Sequence, residues 1–357
     1  MREPRPLDGY ATPVATSELG KLLGLAGDVR IDFIASAALE DNPLGDPSMR
    51  PLGVYLPPGY DPSGSRRYPV IYVLHGYGGD VAALVSGRPW ETNVFQWIDR
   101  LIVAKEMPAV LLVVVDGNTR LGGSQYVDSI HNGGYATYTV HEVVAYVDAT
   151  YRAIAAEGGR AVVGKSTGGF GALYLTMKYP GVFCAFASHS GDANFLGAYV
   201  PEFAKTQRVL EAHGRDPAAF VAAFEKKNKR TNDEMTAIMI LGQAAAYSPR
   251  AAEAFAFDLP FDLETGEMRQ DVFDRWLAFD PAEMCLHKLM ELSRLRLRYL
   301  DCGRRDEYAL DIGARVFTQR VRSMDIAVRH EEFDDDHRNV GYRYAVSLPA
   351  LAQVMDT

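Results

Sequence analysis

The run Ala161-Val-Val-Gly164-Lys165-Ser166-Thr167-Gly168-Gly169 leaves this chain few ways to fold. A short apolar segment meets a glycine, then a serine between two polar residues, then two glycines and a helical pattern. This is Gly-x-Ser-x-Gly, the signature of a strand that turns sharply into a helix with the serine on the turn. A serine held there is strained, and Gly164 and Gly168 must lack a Cβ that would strike the neighbouring strand or helix. The helix beginning near Thr167 then points its free N–H groups at the serine.

The same letters satisfy a second pattern. Gly159-Arg-Ala-Val-Val-Gly164-Lys165-Ser166 fits Gly-x4-Gly-Lys-Ser, the phosphate-cradling P-loop. That reading needs the four intervening residues as an open loop of backbone N–H groups following a strand. Here they are themselves the best strand candidate, and Val143 to Glu157 before them is helix-prone. The apolar run ending in an acid that could hold magnesium, Leu111 to Asp116, precedes the motif, where such proteins usually place it after. The strand–turn–helix reading is preferred, with a P-loop nucleotide-binding protein over Gly159 to Ser166 as a distant alternative.

The rest of the chain supports a sheet around this turn. Strands are expected at Val29 to Ser36, Leu52 to Leu56, Tyr68 to Leu74, Ala109 to Val115, Phe183 to Ser188, Leu295 to Leu300 and Ile326 to Phe333. Several are near-continuous apolar runs, as buried parallel strands are. Helices are expected around Ser17 to Leu25, over Trp90 to Lys105, Thr139 to Ala156 and Tyr308 to Met324, and after Gly341. Asp116 to Tyr138 reads as a long polar loop of the kind that carries function. From Asn194 to Glu291 no clear strand occurs, so the alternation predicts a mostly parallel sheet flanked by helices and interrupted by a helical insertion. The core is expected over 1–193 and 292–357, with 194–291 as a cap above the sheet. The basic patch Lys226 to Arg230 in that segment reads as a solvated face.

At 357 residues, 48% hydrophobic and 23% charged, the chain is an ordinary globular protein by composition. Its net charge of −9 argues against a nucleic-acid partner. Cys184, Cys285 and Cys302 fit neither a zinc spacing nor a disulfide framework, which points to a reducing compartment. Met1-Arg-Glu-Pro-Arg-Pro has no apolar export core and no run reaches membrane-spanning length, so a cytoplasmic protein without membrane partner is expected.

A serine hydroxyl is a poor nucleophile and needs a histidine base oriented by a carboxylate. In α/β-hydrolases these follow in the order Ser, acid, His from loops after later strands. Asp301-Cys-Gly-Arg-Arg-Asp306-Glu307 follows one late strand and Asp334-Asp-Asp-His337 follows the last. His337 is therefore the expected base and Asp306 the expected acid, with Glu307 as alternative; Asp301 sits too early. The tetrahedral oxyanion needs two N–H donors, which Thr167 and, in the glycine-rich His75-Gly76-Tyr77-Gly78-Gly79, Tyr77 can supply. His75, Gly76, Lys165, His189 and Asp192 are expected around the substrate, though a structural role suits His189 equally well.

Several linked motifs resemble the "Putative esterase" family, which includes esterase D (S-formylglutathione hydrolase), enterochelin esterases, feruloyl esterases and the antigen 85 mycolyltransferases. They are Val54-Tyr-Leu-Pro-Pro-Gly-Tyr60, Tyr68 to Gly79, Gly123-Ser-Gln-Tyr-Val-Asp-Ser129, Gly164 to Gly169, Ser190-Gly191, Cys302 to Asp306 and His337. The resemblance covers roughly 50–193 and 293–355. It implies an α/β-hydrolase fold, Ser166, Asp306 and His337 as a triad, and Thr167 and Tyr77 as oxyanion donors. Lys165 stands where His, Arg or an aromatic is more usual, and Thr167 where Met is common. The 194–291 segment exceeds what these compact esterases carry.

Together these observations predict a serine esterase acting on a small-molecule ester through an acyl-enzyme on Ser166. An acyltransferase or thioesterase using the same triad is the alternative. No metal or organic cofactor is implied, and a homodimer is compatible.

Overall fold

The computed structural model describes residues 17–87 and 90–357. The N-terminal stretch read for an export signal lies outside the described residues. Eight strands form one sheet: β1 (Asp28–Ala35), β2 (Met49–Leu56), β3 (Val70–Leu74), β4 (Leu111–Val115), β5 (Arg160–Lys165), β6 (Ala185–His189), β7 (Leu297–Gly303) and β8 (Arg329–Phe333). Their spatial order is β1-β2-β4-β3-β5-β6-β7-β8. β2 runs antiparallel to β1 and β4, and every other pairing is parallel.

The central strands are buried on both faces, which explains their continuous apolar runs. Along β3, Val70, Tyr72 and Leu74 face one core while Ile71 and Val73 face the other. Leu111, Val113 and Val115 of β4 likewise oppose Leu112 and Val114. Each such side chain contributes roughly 1.5–3 kcal/mol when removed from water. The sheet is thus a rigid floor whose strand ends can position chemistry.

The longer helices are α1 (Val94–Val103), α2 (Val144–Thr150), α3 (Thr167–Lys178), α4 (Val200–Glu211), α5 (Pro217–Lys226), α6 (Asn232–Tyr247), α7 (Gln270–Leu277), α8 (Leu310–Arg322) and α9 (Tyr344–Val354), of which α3, α8 and α9 pack on the sheet. α1 starts later than Trp90 because Asn93 and Gln96 form a reciprocal capping box at its N-terminus. The single helix expected over 139–156 is instead a π-helical turn (Tyr138–Val143) followed by α2, which stops at Thr150. Tyr151 turns extended, and Ala153 makes a parallel bridge with Tyr68, so sheet pairing takes over from helix there. β7 runs on to Gly303, three residues past its expected end, and puts Asp301 inside a strand. β8 begins only at Arg329.

Residues 194–291 leave after β6 and return before β7, carrying α4 to α7 and short isolated bridges such as Pro249 with Phe257. Their aromatic core, Phe195, Tyr199, Tyr247 and Trp276, packs on Phe170 of α3. Among the described residues no helix is long and apolar enough to cross a membrane.

Candidate active site

β5 ends at Lys165, and the next residue, Ser166, has φ +56° and ψ −126°. That conformation is costly for a residue with a side chain and persists only where the surroundings enforce it. They do so through close backbone approach. A Cβ on Gly164 would overlap the Gly168 carbonyl, and one on Gly168 would overlap the Leu74 carbonyl. A Cβ on Gly169 would lie 2.7 Å from Gly191 Cα. Ser166 N–H donates to the His189 carbonyl at 2.9 Å, and the Ser166 carbonyl accepts the first helical bond from Phe170 at 2.9 Å. The Ser166 side chain makes no cap to α3 and is free for other work.

The same observations overturn the P-loop alternative. Arg160 to Val163, the four residues that would cradle phosphate, are strand β5 with its N–H groups committed to ladders on both sides.

His337, in the loop after β8, lies between Ser166 and Asp306. Its Nε2 is 3.1 Å from Ser166 Oγ and its Nδ1 is 2.8 Å from Asp306 Oδ2. The network assigns the proton to Nδ1, donated to the carboxylate, which leaves Nε2 to accept from the serine hydroxyl. Glu307, the alternative acid, accepts the His337 backbone N–H at 2.9 Å instead. Burial would raise the Asp306 carboxyl, but the His337 hydrogen bond and charge, helped by the Tyr308 N–H, outweigh it and hold Asp306 below the usual range. Tyr308 packs edge-on against the imidazole, ring centroids 5.0 Å apart.

Gly76 to Gly79 form a tight turn against this centre. Gly79 N–H donates to Gly76 O at 3.0 Å, and Gly78 has φ +70°. A Cβ on Gly76 would lie 3.2 Å from Lys165 O and 3.4 Å from Ser166 Cβ, so the turn rests on the serine's own turn. The Tyr77 ring is pressed by Gly122 and Gly123, and its hydroxyl donates to Leu121 O. Thr167, as the first residue of α3, has no intrahelical partner for its N–H.

Gly76, Tyr77, Lys165, Thr167 and Asp192 line one cleft of about 570 Å³ with Ser166 and His337. Asp192 receives the Tyr199 hydroxyl at 2.9 Å, and burial pushes its carboxyl up to about 6. Two residues expected there are elsewhere. His75 is buried, its Nε2 accepting the Gly117 N–H at 2.8 Å and its Nδ1 beside Gly76 O, so it pins the turn rather than reaching the cleft. His189 is buried between Asp301 (2.7 Å) and Ser347 (2.8 Å), and Asp301 also binds Arg343. Of its two readings, the structural one describes it.

The sequence reading missed part of the cleft's lining. Tyr199 and Glu202 at the start of α4, and Asp233, Met235 and Met239 of α6, line the cleft from within 194–291. No motif marks them. Tyr126 was missed as well: its hydroxyl donates to His75 O at 2.9 Å and supports the glycine turn.

An eight-stranded, mostly parallel sheet of this order, with serine, histidine and aspartate at the carboxyl ends of its strands, defines an α/β-hydrolase. The "Putative esterase" family model matches residues 47–254, more than half of the chain, and the protein belongs to that family. Esterase Rv1288 of Mycobacterium tuberculosis is 35% identical over 144 residues, covering 40% of this chain and 29% of the relative. The chain thus spans less than a third of the length of that curated relative. Among solved structures, a ferulic acid esterase superposes with TM-score 0.61 at 18% identity, covering 93% of this chain and 100% of the other. An S-formylglutathione hydrolase from Agrobacterium tumefaciens gives 0.58 at 14%, covering 93% and 97%.

Proposed function

We propose that this protein hydrolyses a carboxylic ester of a small molecule through an acyl-enzyme on Ser166. The observation that carries the reading is the Ser166–His337–Asp306 chain of hydrogen bonds, with the serine held at a positive φ. Ser166 Oγ attacks the ester carbonyl while its proton passes to His337 Nε2. The carbonyl electrons move onto oxygen, which Tyr77 and Thr167 N–H groups hold. The tetrahedral species collapses, the carbon–oxygen bond to the alcohol breaks, and His337 returns the proton to the departing oxygen. Water then repeats the sequence on the acyl-serine and releases the acid. Asp306 keeps the proton on Nδ1 and stabilises the imidazolium. Each oxyanion donor is worth ~3–4 kcal/mol of transition-state stabilisation.

The helices of 194–291 serve in this reading as a cap that sets acyl and alcohol selectivity, because Tyr199, Met235 and Met239 line the same cleft as the serine. Three buried free cysteines suit a reducing, cytoplasmic setting. Labelling with a fluorophosphonate probe and mass mapping of the adduct tests the mechanism. An adduct on Ser166 that is lost in His337→Ala is expected. Folded protein that takes no label would overturn it.

A further inference from the structure

Among the described residues, one cation lining the cleft has no carboxylate at ion-pair distance. Lys165, the last residue of β5, is half-buried and lines the cleft beside Ser166. Its ammonium makes no hydrogen bond or ion pair with any of the described residues. The neighbouring cations are engaged: Lys205 donates to both Glu202 oxygens at 2.9 Å, and Arg338 lies 3.5 Å from Glu307. The acids nearest Lys165 also have other partners. Asp306 is on His337, Glu307 accepts the His337 N–H, and Asp336 accepts the Arg338 N–H at 2.7 Å. Burial lowers the Lys165 ammonium from its ordinary value, although Asp306, Glu307 and Asp336 draw it upward and Arg338 opposes them. Asp233 and the Glu202–Lys205 pair line the cleft without bonding to it. The residue is only half-buried and its ammonium keeps access to the cleft, so an anion bound there can pair with it directly.

The side on which Lys165 lies is informative. Glu307, His337 and Arg338, from the two loops carrying Asp306 and His337, line the cleft with Lys165, and the charges of these loops act on its ammonium. His337 must reach the departing oxygen to protonate it, so groups beside these loops face the alcohol half of an ester. We propose that Lys165 is a specificity residue that binds an anionic group, carboxylate or phosphate, carried on the alcohol half of the substrate. This rests on the hydrolase reading given above and narrows its substrate class.

Three butyryl esters test it: of 3-hydroxybenzamide, of 3-hydroxybenzoate, and of 3-hydroxyphenyl phosphate. The first two differ in charge at nearly constant size, and the third separates phosphate from carboxylate. Wild-type enzyme is expected to favour at least one anionic ester by about tenfold in kcat/KM, through KM, the equivalent of one close ionic contact. The ratio of anionic to neutral ester should collapse in Lys165→Met and persist in Lys165→Arg. In unmodified enzyme it should also fall with added salt, and as pH rises through the lowered lysine value. A misfolded Lys165→Met variant leaves the salt and pH arms to decide. No anionic preference in wild type, or a preference that survives Lys165→Met, overturns the inference. If Ser166 takes the fluorophosphonate and the neutral ester is turned over without anionic preference, only this inference fails. Absence of labelling removes the hydrolase reading itself.

Discussion

Gly168 lies so close to Leu74 that any Cβ on it would overlap the Leu74 carbonyl oxygen. The contact joins the helix after the serine to the end of β3, where Leu74 is held by strands on both sides and Gly168 sits in the first turn of α3. Gly168→Ala is therefore expected to destabilise the protein by about 3 kcal/mol, the upper range for overpacking. Gly341, with nothing within 4 Å of its would-be Cβ, is the control, and Gly341→Ala should stay within ~0.5 kcal/mol. Urea unfolding of both variants decides; equal midpoints would refute the steric argument.

Asp306 rather than Glu307 touches the imidazole. Asp306→Asn should lower kcat by roughly 10³–10⁴, since an amide favours the wrong histidine tautomer. Glu307→Gln keeps an acceptor for the His337 N–H and should lose less than about tenfold. Steady-state kinetics on one ester with both variants is sufficient, and the reverse ranking would reassign the acid.

The pH dependence of stability separates two buried carboxyls of opposite sign. Asp306 has a lowered value in the fold, so it stabilises above the unfolded carboxylate range and that contribution disappears as pH falls. Asp192 is raised to about 6, so the folded state holds its proton more tightly than the unfolded chain does. Its effect is neutral below about pH 4 and becomes a cost as pH rises through 6. Asp192→Asn keeps an acceptor for Tyr199 and removes that cost. Relative to wild type, the variant should gain up to about 3 kcal/mol between pH 4 and 7. Denaturant titrations at several pH values would show a constant difference if the carboxyl were not perturbed.

Gly122 has φ +91°, and a Cβ on it would lie 2.5 Å from Tyr77 Cζ. Gly122→Ala should push the Tyr77 ring and, with it, the N–H assigned to the oxyanion. A displacement near 1 Å costs on the order of 100-fold in rate. The expected outcome is a drop in kcat with native circular dichroism, and unchanged kcat would detach Tyr77 from the chemistry.

Ser166 could be singled out because an apolar run leads into its glycine-flanked turn, and Asp306 and His337 because each lies in a loop after an expected strand; strand order then brings these ends together. Gly164 and Gly168 were readable for the steric reason the structure displays. His75 and His189 were placed in the cleft because both follow strands. A residue at a strand end can turn toward solvent or beneath a neighbouring helix, and only its partners decide. For His189 those are Asp301 and Ser347, far away in the chain and without a pattern to announce them. The helix that stops at Thr150 was hidden similarly, because the Tyr68–Ala153 bridge is a tertiary event. The cleft wall formed by Tyr199, Asp233, Met235 and Met239 belongs to helices whose apolar faces read as core.

The segment over 194–291 departs from one strand and rejoins the strand beside it, since β6 and β7 are hydrogen-bonded neighbours. Its two roots are therefore anchored together whatever its length. Closing a longer excursion costs only ~0.6 kcal/mol per doubling of the loop. In the proposed reading, the strand ends that would break the ester bond and the helices that would select it are thus free to change at different speeds in descent. Such a chain can acquire new substrates by exchanging helices in one interval, while the strand ends bearing Ser166, Asp306 and His337 stay as they are.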